Sequence, residues 1–117
     1  MFTNLLPDRS KFFLITFPWK DETKTVPIMV TFCKNGNVIV SPLKDQWLAR
    51  RGNPLNWATW DVQNAFRNTY RKGDPLPSDQ DFYDKIIQVG LDKGVEAEIL
   101  MSIDLAEPDN QNNSQDS

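Results

Sequence analysis

From Lys11 to Phe17 the chain reads Lys-Phe-Phe-Leu-Ile-Thr-Phe, a nearly continuous apolar run rich in aromatic and β-branched side chains and stopped by Pro18. It is too short for a stable helix and predicts a largely buried strand. Val26 to Cys33 alternates. Val26, Ile28, Val30 and Phe32 fall on one side, and Pro27, Met29, Thr31 and Cys33 on the other, the period of two that a strand requires. Lys34-Asn35-Gly36-Asn37 follows, and then Val38-Ile39-Val40. Asn-Gly between apolar strands predicts a two-residue type I′ hairpin, because both central residues must take positive φ. Such a loop sets Phe32 opposite Ile39 and Cys33 opposite Val38. Both faces of the ribbon are then partly apolar, so the pattern predicts that something covers each side. Pro27 points to a strand edge or start.

Helical periodicity comes next. Ser41-Pro42 reads as a helix start, serine at the N-cap and proline in the first turn, with Leu43, Trp47 and Leu48 sharing a face, Arg50 and Arg51 in the last turn and Gly52 ending it. A second helix is predicted from Trp57 to Lys72, capped by Asn56 and closed by Gly73-Asp74-Pro75. Ala58, Val62, Ala65, Phe66 and Thr69 make its buried stripe, and Trp60, Asn64, Arg67 and Arg71 recur at helical spacing on another face. The third helix opens on Ser78-Asp79-Gln80-Asp81, a capping box in form, buries Phe82, Ile86, Val89 and Gly90, and ends at Lys93-Gly94. Gly90 inside that helix implies close packing.

From Val95 to Leu105 the period returns to two: Val95, Ala97, Ile99, Met101, Ile103 and Leu105 alternate with Glu96, Glu98, Ser102 and Asp104, and only Leu100 breaks the pattern. This predicts a half-buried strand with an acidic outer face made by Glu96, Glu98 and Asp104. Ala106 to Ser117 holds no large apolar side chain and predicts a solvated, disordered polar tail. The expectation is one α+β domain over residues 1–105: a three-stranded antiparallel meander, about three helices, and a C-terminal strand that rejoins the sheet.

Composition narrows the chemistry. With 117 residues, 39% hydrophobic and 25% charged, the chain can build one modest core. It has no apolar run long enough for a membrane helix and no leader pattern at its start, so a cytoplasmic protein is expected. A lone Cys33 fits a reducing compartment, and the absence of histidine removes the usual general base and metal ligand. The net charge of −3 is unevenly spread. Residues 44–73 carry six basic side chains against two acidic ones, whereas residues 74–117 carry two basic against eleven acidic. Such asymmetry points to a surface that meets a charged partner.

Most candidate sites have a plainer explanation. Every glycine has a turn, helix-end or packing role, which leaves none for a phosphate loop. Asp79, Asp81 and Asp84 suit a hard cation by type, but helix capping uses the same residues. Glu96 and Glu98 share a strand face, where charge protects an edge. Cys33 reads as packing. No metal site and no cofactor are expected. The remaining cluster is Trp60 with Arg50, Arg51, Arg67, Arg71 and Lys72, near Tyr70 and near Trp47 and Trp57, which read as core. Cations beside flat rings suit a protein-binding hot spot, and they also suit phosphates with bases stacked on the rings. The first expectation is a non-enzymatic protein-binding accessory factor, such as an inhibitor, an immunity protein or an assembly chaperone, of the kind phages and mobile elements encode. The alternative is single-stranded nucleic-acid binding by the basic-aromatic face, and a carboxylate-dependent enzyme comes third.

Overall fold

The computed structural model describes residues 7–44 and 46–105, with the side chains of Pro7, Asp8, Gln46 and Trp47 left aside. The expected polar tail over residues 106–117 and the ring of Trp47 therefore lie outside the described residues. Strands β1 (Pro7–Trp19) and β2 (Glu22–Cys33) form a long antiparallel hairpin, tightly turned at Lys20-Asp21 with Lys20 at φ 57°. Strand β3 (Val38–Pro42) pairs with β2, and β4 (Glu98–Leu105) returns after the helices to pair with β1. The sheet is wholly antiparallel, in the order β3-β2-β1-β4. The meander and the returning strand are as the alternation implies, and the class is α+β.

Helices α1 (Trp60–Thr69) and α2 (Asp79–Asp92) lie on one face of the sheet. Phe13, Ile15 and Phe17 of β1 and Val26, Ile28, Val30 and Phe32 of β2 point into this layer and meet Trp57, Val62, Phe66, Phe82 and Ile86. Phe32 packs edge-on against Phe66, Tyr70 and Phe82 at centroid distances of 5.8, 4.6 and 5.7 Å. The buried Gln63 fastens α1 to the sheet edge, its Oε1 accepting from the Val40 amide at 2.9 Å. Gly90 sits where α2 crosses Trp57: an added Cβ would lie 3.1 Å from the Val95 carbonyl oxygen and 3.3 Å from the indole.

The helical layer differs from expectation in three places. The helix from Ser41 is replaced by a single 3-10 turn at Gln46–Ala49, because Ser41-Pro42 extends β3 and Pro42 lies buried opposite Ile28. Trp57 lies in another 3-10 turn, Asn56–Ala58, and α1 begins at Trp60 behind Thr59, not Asn56. At its far end α1 stops at Thr69, since Tyr70 turns extended and tucks its ring under Phe32. Among the described residues two α-helices stand in place of three. The start of α2 is as read: Ser78 Oγ accepts from the Asp81 amide at 3.2 Å.

Two irregularities decide which side chains face where. In the β2–β3 turn only Gly36 takes positive φ, at 93°, and Asn35 does not. The Gly36 amide donates to the Cys33 carbonyl and the Cys33 amide to the Asn37 carbonyl, so the loop holds three residues. This is the turn-plus-bulge hairpin, and it sets Phe32 opposite Val38 and Thr31 opposite Ile39. A one-residue slip exchanges the faces of a strand. Here it sends both Val38 and Val40 inward and leaves only Ile39 outside, a better use of three apolar residues than the predicted register.

The second irregularity is a bulge in β4, where Leu14 pairs with Met101 but Ile15 pairs with Ile99, so Leu100 is the extra residue. Before it Val95, Ala97 and Ile99 face the helices. After it Ser102 and Asp104 do so, and Met101, Ile103 and Leu105 face away. Helices cover one side of the sheet. The other side carries Phe12 and Leu14 of β1, Met29 of β2, Ile39 of β3, and Met101 and Ile103 of β4. Among the described residues no helix is long and apolar enough to cross a membrane.

Candidate functional site

The exposed flank of α1 holds the basic-aromatic residues. Trp60 opens the helix with its side turned outward, 48% exposed, and its indole N–H donates to the Ala49 carbonyl of the preceding 3-10 turn. The polar edge of the ring is thus satisfied while its hydrocarbon face meets water. Arg51 and Asn56 line a recess of about 160 Å³ beside it. Two turns along, Arg67 spends its Nε on the Val38 carbonyl at 2.8 Å, which anchors the guanidinium to the β3 edge and leaves its terminal amino groups outward. Arg71 lies past the helix end and folds back, Nη1 donating to the carbonyls of Arg67, Asn68 and Tyr70 at 3.2, 3.4 and 3.1 Å. These are carbonyls that a helix C-terminus leaves without amides, so Arg71 closes α1.

Arg50 and Arg51 are exposed near Trp60, whereas Lys72 is at the other end, its backbone against Gly36 of the β2–β3 turn. The six residues therefore form two groups along one helix roughly 15 Å long, Trp60 with Arg50 and Arg51 at its start and Arg67, Arg71 and Lys72 at its end. Among the described residues the ion pairs are made by Arg9, Lys11, Lys24 and Lys93, and none involves these five cations. Trp57 is a core ring, as read, and Tyr70, expected beside the cations, is buried as well.

The acidic face read from the alternation of β4 does not exist as one surface. Glu98 pairs with Thr16 on the side away from the helices, Glu96 precedes the strand, and the Leu100 bulge turns Asp104 to the helix side. There Asp104 meets Lys11, which is buried at 3% exposure with its Nζ 2.6 Å from Asp79 and 2.8 Å from Asp104, above the rings of Phe13 and Phe82. Arg9 adds a second contact to Asp104 at 2.8 Å. Burial pulls the Lys11 ammonium downward, but its hydrogen bonds and attraction to Asp104 and Asp79 outweigh this and hold it above the ordinary lysine value. The hydrogen bond from Lys11 chiefly holds the Asp104 carboxyl below the usual range, with help from Arg9 against a smaller upward push from burial. A buried lysine at the inward end of an aromatic strand was legible as parity, since Lys11 shares its phase with Phe13, Ile15 and Phe17, but the continuous apolar run concealed it.

The remaining carboxylates are engaged or dispersed. Asp79 serves Lys11, Asp84 accepts from Gln80 at 2.7 Å, and Asp74 accepts from the Arg71 amide at 2.8 Å. Asp74, Asp81 and Asp84 border an open groove of about 610 Å³ between the end of α1 and the start of α2, floored by Phe66 and Tyr70. Among the described residues no three potential metal ligands converge. Cys33 is buried at the end of β2; burial pushes its thiol up, against the pull of Arg67. Comparison with family models, with curated proteins and with solved structures returns no match.

Proposed function

We propose that this chain is a non-enzymatic protein-binding accessory factor of the cytoplasm, an inhibitor, immunity protein or assembly chaperone, that occupies an acidic surface of its partner with the outward flank of α1. The observation that carries the reading is Trp60: a large ring half in water, its N–H already bonded, beside cations that pair with no carboxylate among the described residues. Tryptophan and arginine dominate the energetics of protein contacts. A ring held at its edge and a guanidinium held at Nε lose little freedom on binding, which lowers the cost of association. The carboxylates and Arg71 act in this reading as scaffold, closing helices and neutralising Lys11.

Stacking of successive bases needs successive rings, and the burial of Trp57 and Tyr70 favours a protein partner over single-stranded nucleic acid. The test is covalent capture in the native host with the full chain and with Trp60→Ala. The expected result is one dominant partner protein, lost in the variant. Recovery of the same proteins with both chains overturns the reading, and so does salt-sensitive oligonucleotide binding that falls on Arg67→Ala with no protein recovered.

A further inference from the structure

We propose that the open side of the sheet is the contact surface of a face-to-face homodimer. The sequence pattern makes both sides of the sheet apolar, and α1 and α2 cover only one. Paired strands place their side chains on the other in cross-strand rows: Met29, Phe12 and Ile103 in one, Leu14 with Met101 beside it, and Ile39 at the β3 edge. Met101 and Ile103 are 45% and 44% exposed. The polar members of these rows are hydroxyls, among them Ser10 and Thr31, bonded to one another at 3.1 Å. Among the described residues no lysine, arginine, aspartate or glutamate enters them, and Glu98 stands a row beyond, opposite Thr16.

Charge and area select a second copy as the occupant. Among the described residues the charged side chains lie outside these central rows, so two open faces meet there without like-charge repulsion. Homodimer contacts are more apolar, and poorer in charge at their centre, than contacts between unlike chains. A flat twisted sheet finds its best geometric match in another, aligned within about 30° and about 10 Å away. Four strands at about 4.8 Å, followed for about seven residues at about 3.4 Å, bury roughly 900 Å² over two copies before side-chain relief, near the ~1,000 Å² a specific contact needs. The dimer is therefore of modest affinity and separates on dilution. This inference does not rest on the α1 flank, which stays outside the contact.

The test is sedimentation equilibrium of the full chain across micromolar concentrations, with Ile103→Lys, Leu91→Lys and Trp60→Ala. Leu91 is exposed on α2, away from the sheet, and serves as the control. The expected mass rises toward twice that of the chain. Ile103→Lys weakens association at least tenfold, while the other two leave it unchanged. Should Ile103→Lys lose its near-UV signal, Ile39→Lys at the opposite edge replaces it. A chain that stays monomeric throughout, as when its own terminal segments cover the sheet, overturns the proposal. So does a dimer that neither open-face lysine weakens.

Discussion

Lys11 and Trp60 are both amphipathic side chains, and each is placed by what its polar end finds. Lys11 carries its charge into the core because two carboxylates meet it there. Removing both, in Asp79→Ala with Asp104→Ala, leaves a buried ammonium without a counter-charge and costs about 3–5 kcal/mol in denaturant unfolding. The pH dependence follows from the directions of the shifts. Asp104, held low, contributes stability above its unfolded pKa and loses it as pH falls through the lower folded value. Lys11, held high, contributes below its unfolded pKa and loses it as pH rises through the higher folded value. The Lys11–Asp104 pair is thus intact from above the ordinary aspartate range to below the ordinary lysine range, and Asp104→Asn should flatten part of the acid-side fall in melting temperature. Asp104 is half exposed, so the effect is small. Gly90→Ala separates propensity from packing. Alanine favours the helix by about 1 kcal/mol, but its Cβ would stand 3.1 Å from the Val95 carbonyl oxygen, so the backbone between α2 and β4 must shift to admit it. A lowered melting temperature is the expected outcome.

At the scale of elements, local chemistry was readable wherever a segment could settle its own hydrogen bonds. Ser78 caps α2 as its sequence announces, and the two-residue period of β4 is real. What was not readable depends on partners distant in sequence. Pro42 resembles a helix opener but is buried opposite Ile28, because β2 offers it a strand to join. Asn35 tolerates positive φ, yet the register that buries both Val38 and Val40 leaves it without that need. The faces of β4 depend on Leu100, whose role as a bulge exists only against β1. Deleting Leu100 should therefore leave a regular ladder, Ile99 still opposite Ile15 and Met101 opposite Leu14, with Ser102 and Asp104 still toward the helices. The expected outcome is a stable fold that keeps the bond between Ser102 and Tyr83. A deletion that lowers stability by about 3 kcal/mol or more and abolishes that bond would contradict the bulge.

Across the whole molecule, basic and acidic residues were expected on separate surfaces, and the structure divides them differently. Among the described residues, cations outside any ion pair run along α1, while the supposed acidic face is split between a core-facing ion network and a single glutamate beside an apolar sheet. The candidate binding residues were legible from helical spacing. Their separation into two groups was not, because Arg71 is spent on closing the helix. Two surfaces remain for contacts, a charged flank for a partner and a neutral face for a second copy. They sit on different elements, so each can be altered alone. The central claim is that the chain works through the α1 flank, and the dissociation constant of the captured partner measures this directly. The account predicts weakening of about thirtyfold or more for Trp60→Ala, the ~2 kcal/mol of a hot-spot side chain, with a smaller loss for Arg67→Ala that shrinks as salt rises. Equal affinity of the wild-type and Trp60→Ala chains would contradict it.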